Sequence, residues 1–481
     1  MIDFRPVLFL AGVLLTTLGL TMLIPAVADA VTDNPDWTVF LASAFVTAFV
    51  GGSLILTNRG VSLALSVRQA FVLTTLSWIV IAAFAALPFS FSNLELDYTD
   101  AFFEAMSGIT TTGSTVIAGL DTAPPGILLW RSLLQWLGGI GIIVMAIAIL
   151  PTLQVGGMQL FRMESSDASD KVLPRMAQVT SAIGAIYLLL SLICFGALWS
   201  AGMTPFEAAA HAMTTIATGG FSTSDASVGH FDSALIDWIV IVFMLLGSLP
   251  FLLYLETVRG KHEALWRDTQ VRWFLVTVLA CLLAIMAWRW NAGPGVAETL
   301  RQCAFNVVSI ITGTGYSTAD YNAWGSFAMT AFFMFMFIGG CAGSTSCGIK
   351  IFRYQVLHQA AKVQIGRLWQ PHGVFVAYYN RKPIPESVTE AVMTFFFLFA
   401  LVFAALTLAL TALGLDFVTS VSGAATAIAN VGPALGDIIG PSSTFASLPA
   451  AAKWVLSLGM LLGRLELLTV LVLLTPGFWR G

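Results

Sequence analysis

Apolar residues come in long runs along this chain rather than at helical or strand periodicity. A membrane-spanning helix needs roughly 20 mostly apolar residues. Ten stretches reach that length: 7–28, 37–56, 70–91, 127–150, 177–199, 235–255, 271–288, 324–352, 388–413 and 452–474. Between some of them lie four shorter apolar stretches, 100–109, 205–216, 296–311 and 417–428. Segments of about 10–14 residues are more often re-entrant than spanning. The pattern therefore predicts an all-α polytopic membrane protein. The first run resembles a signal peptide in its leading Arg5 and its Ala26-Val27-Ala28. It is longer than the usual ~7–15 residue apolar region of such peptides, so it reads as a retained helix.

Composition agrees. Only 10% of the 481 residues are charged and 57% are hydrophobic, whereas a soluble domain carries about 25% charged residues. Lipid must solvate much of the surface. A net charge of −4 excludes the basic footprint of a nucleic-acid partner. Cys194, Cys281, Cys303, Cys341 and Cys347 show no metal-ligand spacing, and most read as small buried hydrophobes.

Charge also orients the chain. Segments 57–69, 151–176, 256–272 and 351–387, with the two termini, hold 16 of the 22 Lys and Arg, and 16 of the 26 acids fall on the other side. The positive-inside rule then puts both termini in the cytoplasm. Ten spans satisfy that parity if the four short segments enter and leave on the outer side, whose acids would concentrate cations.

Each short segment ends in a polar, Gly-containing stretch, and the four align without gaps. They read Ile109-Thr-Thr-Thr-Gly113, Ile216-Ala-Thr-Gly-Gly220, Ile311-Thr-Gly-Thr-Gly315 and Ile428-Ala-Asn-Val-Gly432. Similar copies roughly a hundred residues apart, each between spans, define four helix–pore loop–helix repeats after an N-terminal helix pair. The boundaries fall at 1–66 for the pair, then 67–156, 157–258, 259–355 and 356–481, the last including a cytoplasmic loop.

Irregular backbone at membrane depth is tolerated only where it is buried or lines a water-filled cavity. Gly permits conformations that turn successive carbonyls toward one axis, and carbonyl rings can replace a cation's hydration shell. The preceding short helices aim their C-terminal partial charge, about −0.5, at the same path. The candidate ion-binding residues are Thr111, Thr112, Gly113, Thr218, Gly219, Gly220, Thr312, Gly313, Thr314, Gly315, Asn430, Val431 and Gly432. No carboxylate lies among them, which favours K⁺ over divalent ions, as these usually take charged oxygen ligands.

Two further features sit in the spans. Gly339, Gly340, Gly343, Ser344, Thr345 and Gly348 crowd one stretch of an apolar helix, and each Gly costs about 1 kcal/mol relative to Ala. The stretch reads either as a break hanging below the loops or as small-residue helix packing. Arg464 lies mid-span, where a charge costs about 2.5–3.5 kcal/mol, so it faces a cavity or pairs with another helix. Glu466, two residues on, is badly spaced for it. Lys350 either snorkels or joins the break. His211 reads as a packed, hydrogen-bonded histidine. Asp100, Glu104 and Glu207 suit the starts of short helices, and Arg301 is expected to pair with one of these outer acids.

The four loops resemble those of the Trk/Ktr/HKT superfamily of K⁺ transporters, specifically the bacterial TrkH/TrkG type, over essentially the whole chain. Gln135-Trp-Leu-Gly-Gly-Ile-Gly-Ile-Ile-Val144 is similar to the family's first inner helix, Gly339–Lys350 to its GGxxGSTxGGxK break, and Gly463-Arg-Leu-Glu466 to its GRLE segment. Cys347 departs from that break, where the family usually has Gly. The resemblance implies K⁺ uptake across the bacterial inner membrane, with K⁺ as the bound ion. Gly at all four filter positions goes with K⁺ selectivity, and Ser in the first loop of some plant members goes with Na⁺. It further implies an intramembrane gate formed by 339–348 with Lys350 and Arg464, a homodimer in membrane lipid, and a cytoplasmic nucleotide-binding ring of the TrkA type docking on basic inner loops such as 353–382. No catalytic residue or organic cofactor site is expected. A membrane enzyme would need clustered ionisable groups at one interface, and Asp167 and Asp170 read as ordinary solvated residues. A proton-coupled carrier of another solute would show inverted repeats and midplane acids, but only Glu466 lies at midplane.

Overall fold

The structure is a computed structural model. It describes residues 2–61, 65–148, 157, 172–290 and 295–480, with backbone only at 147–148 and 172–177. Asp167 and Asp170 lie outside the described residues, as does most of segment 151–176.

Seven helices among the described residues are long and apolar enough to span: Arg5–Val31, Trp37–Thr57, Val67–Phe91, Pro125–Ala146, Gln178–Ser200, Thr269–Arg289 and Glu386–Ala412. Two predicted straight spans are bent instead. The one expected over 235–255 is Ala234–Gly247 followed by Phe251–Val258 at 90°. Pro250 stands at the second helix's N-cap, and the residue before a proline is pushed out of helical geometry. The one expected over 452–474 turns by 106° between Ala450–Arg464 and Leu468–Leu474. There Glu466 and Leu467 take φ of +60° and +46°, so the right-handed helix cannot continue. The span expected over 324–352 is interrupted. Helix Ser326–Phe335 ends, and the next helix, Ile351–Trp369, starts only after the Gly-rich stretch.

The N-terminal pair packs through glycines. A Cβ on Gly12 would stand 2.7 Å from the Gly51 carbonyl oxygen, and one on Gly51 equally close to the Gly12 oxygen. Backbones approach this closely in membranes because small residues leave no side chain between them. The pair is tied to the rest by buried Asp29, whose carboxylate accepts from the Gly126 amide at 2.6 Å. Asp36, likewise buried, accepts from the Asn93 amide at 3.3 Å.

Four short helices follow the expected order: Tyr98–Ile109, Pro205–Ile216, Val296–Ile311 and Phe417–Ala429. Three start on side-chain caps. Asp97 accepts from the Asp100 amide, Thr204 forms a capping box with Glu207, and Asp416 accepts from the Thr419 amide. Each cap satisfies an orphan amide and fixes where the helix begins. Hydrogen bonds from Thr419, side chain first and then backbone, hold the Asp416 carboxyl below its ordinary value. Three of the four helices end on the aligned isoleucine and the fourth one residue past it, and the loops that follow are buried.

Candidate functional site

In the four loops the backbone repeats one unusual conformation. Positive φ occurs two residues before each aligned Gly and again at that Gly. The pairs are Thr111 and Gly113, Thr218 and Gly220, Gly313 and Gly315, and Asn430 and Gly432. Only one of the earlier positions is Gly. A β-branched Thr at φ of +53° or +49° is an outlier that surrounding structure must hold in place.

The loops close on one another in a ring. A Cβ on Gly113 would stand 2.3 Å from the Gly219 carbonyl oxygen, and one on Gly220 1.8 Å from that of Thr314. From Gly315 it would be 2.1 Å from that of Val431, and from Gly432 2.9 Å from that of Thr112. So the Gly of each loop abuts the carbonyl just before the Gly of the next, and the fourth returns to the first. Side chains join neighbouring loops. Asn430 Nδ2 donates to Thr112 Oγ1 at 2.9 Å, and the Ser114 hydroxyl donates to the Gly432 carbonyl at 2.7 Å. Gln135 Nε2 donates to the Gly219 carbonyl at 2.6 Å while its Oε1 accepts from the Phe221 amide. Gln135 fills the space a side chain at 219 would need.

Glycines also set the distance between the following helices and the loops. A Cβ on Gly138 would meet the Ile109 oxygen at 1.9 Å, on Gly247 the Ile216 oxygen at 2.9 Å, and on Gly463 the Ile428 oxygen at 2.1 Å. The acceptors are three of the four aligned isoleucines.

The Gly-rich stretch is a closed loop whose stems pair, the Gly339 amide to the Ile349 carbonyl and the Ile349 amide to the Phe337 carbonyl. Of the two readings open in the sequence, the structure has the break. Its tip contacts the end of each of the four short helices or the loop that follows it. Thr345 Oγ1 donates to the Ile216 carbonyl at 2.9 Å and Ser346 Oγ to the Thr312 carbonyl at 2.6 Å. Cys347 Sγ lies 3.4 Å from Thr111 Oγ1, and the Gly348 amide donates to the Ala429 carbonyl at 2.8 Å. Ser344 Oγ donates to the Cys341 carbonyl, closing the turn. Gly340 packs against Ser346, and Gly343, at φ +73°, turns in open space. Lys350 does not snorkel. Its buried ammonium donates to the Ser346 carbonyl.

Arg464 is 3% exposed. Its Nη1 donates to Cys347 Sγ at 2.7 Å and to the Thr345 carbonyl at 3.3 Å, and its Nη2 to the Gly138 carbonyl at 3.4 Å. Among the described residues no carboxylate lies within 4.0 Å of it. Neighbouring Glu466 pairs instead with buried Arg353 at 2.5 Å. Cys347 is thus not the apolar filler expected of most cysteines here, because it bridges the arginine and the first loop.

Other expectations need correction. Glu104 lies in the second turn of its helix and is fully buried, so it does more than complement the dipole. It accepts from Arg131 Nε at 2.8 Å, the Val116 amide and the Thr115 hydroxyl. Arg131 also donates to the Ser222 carbonyl. Arg301 pairs with Glu298 at 2.7 Å, Asp232 and Asp237, not with Asp100, Glu104 or Glu207. Asp100 instead takes Lys453 at 2.5 Å. His211 is packed and hydrogen-bonded as expected. None of the partners of Arg131, Glu466 or Arg301 other than Glu298 was signalled by spacing, since they lie on other elements.

A helical membrane protein with four loops closing a central ring, and a further loop packed against that ring, has the architecture of a cation transport protein. Residues 37–477 match the family model described as "TrkH: Cation transport protein", and the chain belongs to that family. It is 50% identical over 477 residues to the Trk system potassium uptake protein TrkI of Halomonas elongata, covering 99% of this chain and 97% of that one. It is 39% identical to the Trk system potassium uptake protein TrkH of Escherichia coli K12, with 99% of each covered. The crystal structure of the potassium transporter TrkH from Vibrio parahaemolyticus superposes with a TM-score of 0.93 at 37% identity, covering 100% of both chains.

Proposed function

We propose that this chain takes up K⁺ across the bacterial inner membrane through a filter of main-chain oxygens. The observation that supports this reading is the closed order of the four loops, each Gly against the next loop's carbonyl. A ring of uncharged oxygens in a fixed frame substitutes for the water of a monovalent cation. The ligands come from Thr111–Gly113, Thr218–Gly220, Thr312–Gly315 and Asn430–Gly432. The four units run 67–156, 157–258, 259–355 and 356–481, after the pair at 1–66. K⁺ is the transported ion, and the chain is a transporter rather than an enzyme.

Below the ring, the loop 339–348 is the gate. Its hydroxyls occupy the carbonyls at the ends of the pore helices, and Arg464 sets a positive charge beside it. Among the described residues no carboxylate stands within 4.0 Å to pair with it, so that charge repels an approaching cation. Lys350 anchors the gate's stem. Both termini lie in the cytoplasm, following the basic segments. The relatives' printed names speak of a Trk system, which favours further components. We infer a homodimer with a cytoplasmic nucleotide-binding ring of the TrkA type docked on the basic face at 353–382.

Growth of a K⁺-uptake-deficient bacterium on limiting K⁺, with ⁸⁶Rb⁺ uptake by the same cells, tests the function. Rescue and saturable uptake are expected. A chain that reaches the membrane and supports neither would overturn it.

A further inference from the structure

Five residues before the aligned isoleucines stand Glu104, His211, Asn306 and Gly423. The first three differ in charge and shape, yet all are fully buried and all do the same thing. Each reaches from its pore helix to the strand that leaves the filter. Glu104 accepts from Thr115 and Val116, two and three residues after Gly113. His211 Nε2 meets Ser222 Oγ at 3.0 Å, two residues after Gly220. Asn306 Nδ2 donates to Thr318 Oγ1 at 3.2 Å, three residues after Gly315, and its Oδ1 accepts from the Thr318 amide at 3.4 Å. In the fourth unit, where Gly423 has no side chain, the preceding Ser422 takes over. Its hydroxyl accepts from the Leu435 amide at 3.1 Å, three residues after Gly432.

Three of the four also bond back along their own helix. His211 Nδ1 faces the Glu207 carbonyl at 2.8 Å, Asn306 Nδ2 the Gln302 carbonyl at 2.8 Å, and Ser422 Oγ the Val418 carbonyl at 2.7 Å. A carbonyl can only accept, so in the neutral imidazole Nδ1 carries the proton and Nε2 accepts from the Ser222 hydroxyl. Each residue thus clamps the leaving strand to a rigid helix. A buried polar group keeps a partner of this kind because leaving it unsatisfied is costly.

We propose that these four side chains are positioning residues for ion selectivity. By pinning the outgoing strand, each holds its filter segment in the strained geometry that sizes the oxygen ring. The shared requirement is a hydrogen bond at one place rather than a particular residue, so the chemistries are exchangeable between units. Glu104 is the exception, because it also neutralises Arg131.

This rests on the K⁺ reading above. The test uses the full-length protein in liposomes, comparing K⁺ with Na⁺ flux. Wild type without K⁺ flux would overturn that reading and this proposal with it, whereas K⁺ flux with an unchanged ratio in the variants overturns this proposal alone. With K⁺ flux in hand, His211→Leu should lower the K⁺ over Na⁺ ratio by about tenfold or more, the loss of one buried hydrogen bond. Ser222→Ala, which leaves the pore helix intact, should do the same. The double variant should lose no more than either alone, because both remove one bond. His211→Gln, whose amide reaches where Nε2 does, should stay within about twofold of wild type. Variants that still transport and stay monodisperse yet keep the wild-type ratio would overturn the proposal, as would losses that add in the double variant.

Discussion

Replacing each glycine of the proposed filter by alanine is a graded perturbation of the ring. All four positions carry a common strain, with φ of +90°, +78°, +84° and +106° at Gly113, Gly220, Gly315 and Gly432. Holding a non-Gly residue there costs about 1–3 kcal/mol, roughly a 5- to 150-fold loss of the competent conformation. The steric part differs. Carbon–oxygen contacts settle at about 3.3 Å or longer. From the distances of 1.8, 2.1, 2.3 and 2.9 Å for Gly220, Gly315, Gly113 and Gly432, the neighbouring carbonyl must move by about 1.5, 1.2, 1.0 and 0.4 Å in turn. Those carbonyls are the proposed ligands. Gly220→Ala should therefore abolish K⁺ preference over Na⁺, Gly315→Ala and Gly113→Ala should nearly do so, and Gly432→Ala should retain the most. Gly113→Ser shares the alanine's Cβ and should lose the preference as well. The assay is K⁺ and Na⁺ flux in liposomes, with melting temperature in detergent to show that each variant folds. A folded Gly220→Ala protein as selective as wild type, or Gly432→Ala as the most damaged of the four, would rule out a ring sized by these glycine–carbonyl contacts.

Three further outcomes follow from the same geometry. Arg464→Ala should raise K⁺ flux severalfold in liposomes, since it removes a buried positive charge with no carboxylate within 4.0 Å among the described residues, beside the proposed gate; unchanged or lower flux in well-folded protein would remove the arginine from the proposed gating. Arg353→Ala should cost about 3–5 kcal/mol, because it strands buried Glu466. That should appear as a lower melting temperature, largely restored by adding Glu466→Gln; an unchanged melting temperature would contradict it. Cys347→Gly removes the sulfur that touches Arg464 and Thr111, so it should loosen the proposed gate and raise basal flux in liposomes, while Cys347→Ser should stay nearer wild type.

The parts of this site that were legible in the sequence are those written in local spacing. Four loops in register and the break at 339–348 need only a motif and its neighbours. The bends were not legible, because an apolar run reads alike whether straight or turned. Pro250 marks one of them locally, whereas Glu466 and Leu467, at φ of +60° and +46°, carry no local signal for positive φ. The strain at Thr111, Thr218 and Asn430 was hidden for the same reason, and Gly313 alone announced it. Pairs such as Glu104 with Arg131 and Glu466 with Arg353 join residues on different helices, and helical spacing speaks only for one. The shared role of Glu104, His211 and Asn306 was hidden by their unlike chemistry. Their common place, five residues before each aligned isoleucine, is the one trace of it in the sequence.

The central idea is that oxygens of four equivalent turns surround one ion on one axis. Anomalous scattering from crystals of the protein grown in Rb⁺ locates that ion directly. A peak enclosed by the main-chain oxygens of Thr112, Gly219, Thr314 and Val431 is expected. Ordered Rb⁺ at the outer acids, with no peak inside that ring, would contradict it.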